Sequence, residues 1–159
     1  MRSVPLLAIV LGLVGLLPFV ALSLVALLEP GAWATRALFG LSAYAAVILA
    51  FLGGVHWGIG LEAGSGQTVA AQRARFGLGV LPSLIGWAGL LVTFIGLPLV
   101  GLAILVAGFI ATTIAEARGA NAGLVPHGYM GLRWVLSVGV IVCLVSVLIV
   151  VAFGGHVVL

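Results

Sequence analysis

The sequence predicts an all-α fold, an integral membrane bundle of five transmembrane helices that forms a single domain over residues 1–159. Two observations predict it. Hydrophobic residues make up 64% of the chain, and only six residues are basic and three acidic. The apolar segments between these charges reach the length of about 20 residues that a membrane-spanning helix needs. A soluble domain requires a polar shell that this composition cannot supply, so the hydrophobic surface must face lipid.

Charges and helix-breaking residues divide the chain into the five predicted spans. The spans cover residues 4–28, 36–61, 76–95, 98–115 and 132–153, with the longer loops at 63–75 and 116–131. No charge occurs between residues 76 and 115, and one helix of that length would measure roughly 60 Å. Because the hydrocarbon core is only about 30 Å thick, this stretch must fold back. The predicted turn is Gly96-Leu97-Pro98, where glycine permits the turn and proline favours a helix start.

The distribution of arginines predicts the orientation. A cytoplasmic N-terminus places Arg36 alone outside, and the positive-inside rule is then satisfied. The arginines on the inside are Arg2, Arg73, Arg75, Arg118 and Arg133. The C-terminus of a five-span chain then lies outside. The first apolar run is longer than the core of a signal peptide and no transit peptide precedes it, so we expect it to be retained in the inner (plasma) membrane of a bacterium.

Small residues recur at helical spacing and predict the faces on which the helices meet. Lipid offers no hydrophobic drive for helix association, so close backbone contact matters. The predicted contact faces are Ala8 with Gly12, Gly54 with Gly58, Pro82 with Gly86, Gly89 and Thr93, and Gly139 with Cys143 and Ser146. Trp87 falls near the middle of its span, and we expect it to pack between helices.

Most polar side chains of the predicted spans fall at the cytoplasmic end, around His56. An ionisable group in the hydrocarbon is costly and marks a candidate functional site. The candidate ligand-binding residues are His56, Trp57, Gly53, Gly54, Ser83, Trp87, Glu116, Tyr129 and Arg133, with Arg73, Arg75 and Arg118 at the rim facing lipid headgroups. The alternative interpretation is that His56 is a neutral core histidine, hydrogen-bonded to a neighbouring helix.

Other chemistries find weaker support in the sequence. His56 and His127 together suggest haem or metal ligation, but no motif accompanies them. Ser83, His56 and Glu116 can be drawn as a hydrolytic triad, but no nucleophile-elbow pattern surrounds the serine. Glu62 and Glu116 as paired carboxylates have arginines nearby that neutralise them. We therefore predict no catalytic residue, no metal and no cofactor, and the scattered arginines argue against nucleic acid as a partner.

The segment Phe51-Leu52-Gly53-Gly54-Val55-His56-Trp57-Gly58, preceded by Tyr44, resembles the signature of the bacterial membrane proteins grouped as domain of unknown function 3429. That family includes the mitochondrial transmembrane protein 69. Further matching pieces are Pro18-Phe19, Pro82-Ser83 with Trp87, and Tyr129 followed by Leu132-Arg133. The resemblance implies a five-helix protein of bacterial or mitochondrial inner membranes and implies no reaction. Glu116 stands where the family pattern implies an aspartate, which keeps the charge but lengthens the side chain.

The favoured functional hypothesis is a non-enzymatic module that binds a lipid, quinone or similar amphiphile at the polar pocket around His56. One alternative is an accessory or assembly subunit that docks on a larger membrane complex through its glycine-rich faces. A small transporter is a further alternative, against which the odd number of spans and the lack of inverted repeats count. The expected partners are membrane lipids, an amphiphilic small molecule, and other membrane proteins or a second copy of the chain.

Overall fold

The computed structural model describes residues 5–62, 69–121 and 129–154, and this part of the chain is helical throughout, without a strand. The helices are α1 (Leu6–Val14), α2 (Leu17–Leu28), α3 (Ala32–Glu62), α4 (Val69–Phe94), α5 (Pro98–Asn121) and α6 (Tyr129–Ala152). The predicted all-α fold is therefore confirmed for the described residues.

The lengths and hydropathies of these helices identify a multi-pass membrane protein. Segments long and apolar enough to cross a membrane are Leu6–Leu28, Ala32–Gly58, Pro98–Gly119 and Met130–Ala152, and α4 adds a shorter apolar stretch, Gly79–Phe94. Large hydrophobic side chains cover the outside of the bundle, as Val47 and Trp87 illustrate with exposures of 61% and 63%. A soluble protein does not expose an apolar surface of this extent, whereas lipid covers it without cost.

The first span is broken into two helices, although the sequence predicted one continuous helix. The break falls at Gly15 and Leu16, immediately before Pro18 in the first turn of α2. Proline has no N–H to donate to the carbonyl four residues earlier, so the helix cannot run through this point undisturbed. The Tyr44 hydroxyl of α3 donates a hydrogen bond of 3.0 Å to the carbonyl oxygen of Gly15. The break is therefore tied to the centre of the bundle.

Three predicted boundaries are wrong because hydropathy was taken as the limit of each helix. Helix α3 begins at Ala32 rather than at residue 36, and α4 begins at Val69, inside the predicted loop 63–75. Helix α5 runs on to Asn121, so Glu116 and Arg118 are helical rather than part of a loop. Alanine, glutamine and arginine favour helix irrespective of their polarity, which accounts for these extensions.

The turn between α4 and α5 lies where the sequence predicted it. Gly96 has a φ of 89°, a backbone conformation that glycine adopts without strain, and Pro98 is the first residue of α5. The predicted contact face of α4, from Pro82 through Gly86 and Gly89 to Thr93, is buried. A side chain at Gly89 would meet Leu105 and the Gly101 carbonyl, so the two helices of this hairpin approach closely.

Helix α3 forms the centre of the bundle and packs against α2, α4 and α5. Its buried face follows a helical spacing through Leu38, Leu41, Ala45, Leu49 and Leu52. The remaining core side chains come from the neighbouring helices: Phe19 and Ala26 of α2, Leu102, Leu105 and Phe109 of α5, and Val140, Leu144 and Val147 of α6.

Two expectations about packing are wrong. Gly54 and Gly58 have nothing within 4 Å of an added side-chain carbon, so this pair makes no contact with the described helices. It is the preceding residue, Gly53, that meets the backbone of Gly79 in α4. Trp87 was expected between helices but lies on the lipid-facing surface, because Gly86 beside it occupies the position that faces α3.

Candidate functional site

A buried ion pair joins the ends of three helices. Glu116 of α5 is 2% exposed, and its Oε2 accepts a hydrogen bond from Nε of Arg133 in α6. Its other oxygen, Oε1, lies 3.2 Å from Nε2 of His56 in α3. Charges in a low-dielectric interior are tolerated when they are paired and hydrogen-bonded. The carboxylate meets this condition because both of its oxygens have partners.

Two hydroxyl groups extend the ion pair along the interface of α5 and α6. Arg133 Nη1 donates a hydrogen bond of 2.7 Å to Ser137 Oγ, one helical turn further along α6. Ser137 Oγ lies 2.9 Å from Thr113 Oγ1 of α5. The five side chains His56, Glu116, Arg133, Ser137 and Thr113 are all buried, and they form what we call the buried polar cluster.

The cluster brings together three residues that the sequence singled out separately. His56, Glu116 and Arg133 were all candidate ligand-binding residues, and they lie in contact. The hydrogen bond from His56 to a neighbouring helix, which the alternative interpretation predicted, is present. No hydrogen bond joins Ser83 to His56 within the described part of the chain. Ser83 Oγ is close to Gly53 instead, which gives the hydrolytic triad no geometric support.

An apolar cavity lies beside the buried polar cluster, between the first span and helices α3, α5 and α6. Its volume is about 390 Å³. The lining consists of Ala8, Leu11, Gly12, Gly15, Leu16, Phe19, Ile48, Phe51, Leu52, Phe109, Leu132, Arg133, Leu136 and Val140. Leu11 and Phe51 are more than half exposed, so the outer wall of the cavity borders the lipid.

Arg133 is the one polar side chain in this lining, and it is the residue that connects the cavity to the ion pair. Its Nη2 atom is buried and has no hydrogen-bond partner within residues 5–62, 69–121 and 129–154. A guanidinium group carries five N–H donors, and a buried donor without a partner is costly. The cavity is therefore apolar along its walls, with an unfilled hydrogen-bond donor belonging to its one polar side chain.

The other candidate residues on α3 and α4 lie away from this cavity. Trp57 is half-exposed, stacks edge-on against Phe76 at 5.1 Å and covers Gly79. Gly53 forms the close contact of α3 with α4, and Gly54 is open. None of these residues is part of the cavity lining, and neither is Trp87.

The rim arginines and the two remaining aromatic and histidine candidates are only partly described. Arg73 and Arg118 are exposed, on α4 and α5 respectively. The side chains of Arg75 and Tyr129 fall outside the described part of the chain, as does His127 with the haem or metal hypothesis that depended on it. No group of three or more His, Cys, Asp and Glu side chains suited to a metal occurs among the described residues.

Sequence reasoning missed the hydroxyl partners and most of the cavity wall. Ser137 follows Arg133 by four residues and Thr113 precedes Glu116 by three, so helical spacing alone would have placed each beside its charged neighbour. The cavity wall offered a weaker signal. Ala8 and Gly12 were recognised as a small-residue face, and Gly12 does face Leu136 of α6, but the space beside them depends on the break at Gly15.

These features define a small multi-pass helical membrane protein with a buried ionic cluster at one end of its bundle. Residues 4–149 match the model of the family described as Protein of unknown function (DUF3429), and the chain belongs to this family.

One relative of known name is Transmembrane protein 69 of Xenopus tropicalis, which is 34% identical over 91 residues. The match covers 57% of this chain and 35% of the relative, so it spans about a third of that protein's length. No solved structure matches the chain.

Proposed function

We propose that this protein is a non-enzymatic membrane module that binds a lipid, quinone or similar amphiphile, with the polar end of the ligand at Arg133. The observation that carries the proposal is the Nη2 donor of Arg133, buried and without a partner, on the one polar side chain of an otherwise apolar cavity. An amphiphile supplies both missing elements, an acceptor for the donor and an apolar body for the cavity.

The dimensions and energies of the site support this proposal. Small-molecule sites typically have volumes of about 300–1,000 Å³ and combine apolar walls with a few polar groups. A cavity of about 390 Å³ with one guanidinium group fits that description. Leaving a buried donor unpaired costs about 1–3 kcal/mol, and more when the group is charged. A ligand acceptor that fills this position recovers that free energy.

Binding is favoured over catalysis because the titratable groups are already engaged with one another. Glu116 uses one oxygen for His56 and the other for Arg133. Neither oxygen is left to take a proton from a substrate in the cavity, and neither His56 nor Glu116 belongs to the lining. General acid–base catalysis requires such a group within hydrogen-bond reach of the reacting atom.

Native mass spectrometry of the protein, extracted gently from its own membrane, tests the proposal. The wild type is expected to carry a defined amphiphile. Ala8→Phe, which places a large side chain in the cavity wall and leaves the buried polar cluster intact, is expected to lose it. Leu7→Phe is the matched control, because Leu7 neighbours Ala8 on α1 but is 67% exposed and outside the lining. A wild-type protein without any bound small molecule, or equal loading of the two variants, would contradict the proposal.

We propose further that α4 crosses the membrane, giving five spans with the N-terminus in the cytoplasm of a bacterium and the C-terminus outside. Helix α4 has 26 residues, about 39 Å at 1.5 Å per residue, which suffices to cross. Arg133 is buried against Glu116 and so does not act as a free charge. The arginines predicted inside still outnumber Arg36 outside, in agreement with the positive-inside rule.

The open glycine face of α3 favours a second candidate function, that of an accessory or assembly subunit. Gly54 and Gly58 are exposed and have open space beside them, so a foreign helix has room to approach the α3 backbone there. Under this hypothesis Gly54→Leu abolishes co-purification of a defined partner chain while the fold is kept. Under the ligand-binding proposal, Gly54→Leu leaves the bound amphiphile unchanged, since Gly54 is outside the cavity lining.

A further inference from the structure

The geometry points to a neutral ligand head, and we propose that the cavity takes a carbonyl-bearing amphiphile without a charged group, a class to which membrane quinones and neutral glycerides belong. This inference rests on the proposed function, since it concerns the ligand of the same cavity. It narrows that ligand to amphiphiles whose acceptor is an uncharged oxygen and excludes phosphate and carboxylate heads.

The charge of the site is already balanced before a ligand enters. Arg133 contributes one positive charge and Glu116, in direct contact with it, one negative charge. The lining adds no other charged side chain, so an anionic head would be an excess charge in an apolar cavity. His56 cannot supply the missing cation there, because its Nε2 is held at Glu116 Oε1 and the residue is outside the lining. Burial of an unpaired charge is strongly unfavourable.

The remaining hydrogen-bonding capacity of Arg133 leads to the same conclusion. Arginine recognises phosphates and carboxylates best with a two-nitrogen fork. Here Nε is bonded to Glu116 and Nη1 to Ser137, and Nη2 is the nitrogen left without a partner. A single free nitrogen suits a single acceptor, such as the oxygen of a ketone or an ester.

The aromatic residues of the lining suit such a ligand. Phe19 and Phe109 meet edge-on with their ring centroids 6.1 Å apart, and Phe51 stands at the lipid-facing wall. Aromatic side chains make favourable edge and stacking contacts with flat rings and equally good apolar contacts with acyl chains. The shared feature of the two ligand sources is therefore the neutral carbonyl, and the experiment separates ring from chain.

The test compares two ligands that differ only in charge. Binding of monoolein and of oleoyl lysophosphatidic acid, which adds a phosphate to the same chain and glycerol, is measured on the full chain in detergent at pH 7.5 by ligand-induced thermal stabilisation. Decylubiquinone is the ring-bearing probe. Each ligand is measured on the wild type, Ala8→Phe and Leu7→Phe.

We expect monoolein or decylubiquinone to bind the wild type and Leu7→Phe at least tenfold more tightly than the phosphate ligand does, and to lose this advantage in Ala8→Phe. Stronger stabilisation by decylubiquinone identifies a quinone, and stronger stabilisation by monoolein identifies a glyceride. Equal or tighter binding of the phosphate ligand, lost in Ala8→Phe, would overturn the neutral head but keep the ligand site. Binding that does not distinguish Ala8→Phe from Leu7→Phe for any probe would overturn the proposed function itself.

Discussion

Arg133 links the two parts of the site, because it holds the Glu116 carboxylate on one side and lines the cavity on the other. Each of its contacts uses a different nitrogen, so the guanidinium is fixed by Glu116 and Ser137 while Nη2 stays free. At the residue scale the protein therefore has a positioned donor, and the orientation of that donor depends on the ion pair.

Replacing Arg133 alone is expected to destabilise the protein strongly. Arg133→Gln leaves the buried Glu116 charge without its cation, and breaking a buried pair in this way costs about 3–5 kcal/mol. The free energy of unfolding, measured in detergent, should fall accordingly. The double variant Glu116→Gln/Arg133→Gln removes both charges and should recover most of the loss. A double variant as unstable as the sum of the two single variants would show that the residues do not act as a pair.

The hydroxyl bridge between α5 and α6 permits a finer test with two adjacent threonines. Thr113→Val removes the contact with Ser137 and should lower the free energy of unfolding by about 0.6 kcal/mol, the average for hydrogen bonds between membrane helices. Thr112→Val is the control. Thr112 is equally buried but bonds only to the Gly108 carbonyl of its own helix, so its replacement should cost less. Equal losses would argue against a stabilising role for the bridge.

The position of the charged residues along the chain could be read from the sequence, but their pairing could not. His56, Glu116 and Arg133 lie near the ends of predicted spans, so hydropathy alone places them at one end of the bundle. Which arginine neutralises Glu116 depends on the rotation of α5 and α6 about their axes. The nearby Arg73, Arg75 and Arg118 were as plausible as Arg133, and of these Arg73 and Arg118 prove to be exposed.

At the scale of elements, the glycines of α3 show that spacing alone does not identify a contact face. Gly54 and Gly58 have the four-residue spacing typical of helix contacts, whereas the side of α3 that meets α4 is marked by Gly53 alone. One residue corresponds to about 100° of rotation on a helix, and this difference separates the interior of the bundle from the lipid. The pattern of small residues fixes the spacing but leaves the rotation open.

Adjacent glycines on α3 provide a matched pair of substitutions. Gly53→Ala introduces a methyl group that meets the Gly79 carbonyl of α4, a backbone atom that cannot move aside easily. We expect a loss of roughly 1–3 kcal/mol in the free energy of unfolding, typical of overpacking. Gly54→Ala meets nothing and should leave stability unchanged or slightly higher, because alanine favours helix. Equal effects in thermal unfolding would contradict the close approach of α3 and α4.

For the whole molecule, hydropathy and charge predicted the class of protein and the order of its helices. The turn at Gly96 is as expected, because a charge-free run of 40 residues has to fold back near its middle. The cavity was not predictable, since it arises from the break at Gly15 and from the way four helical segments meet. Local sequence patterns carry no information on empty space between segments that are distant along the chain.

The proposed orientation is testable with two engineered cysteines in a Cys143→Ala background. Glu29 lies in the exposed turn between α2 and α3, and Arg73 is exposed near the start of α4. A membrane-impermeant maleimide applied to intact cells should label Glu29→Cys directly and Arg73→Cys only after permeabilisation. The reverse pattern would invert the orientation, and labelling of both positions from outside would show that α3 does not cross the membrane.

The ion pair between Glu116 and Arg133 also constrains how this chain can change over generations. Loss of either charge leaves the other stranded in an apolar interior, so a single substitution at one position is penalised even when the double replacement is tolerated. The two positions should accordingly covary among related chains, both charged or both neutral. Lineages that keep the pair are then those in which the free Nη2 donor of the arginine is itself under selection.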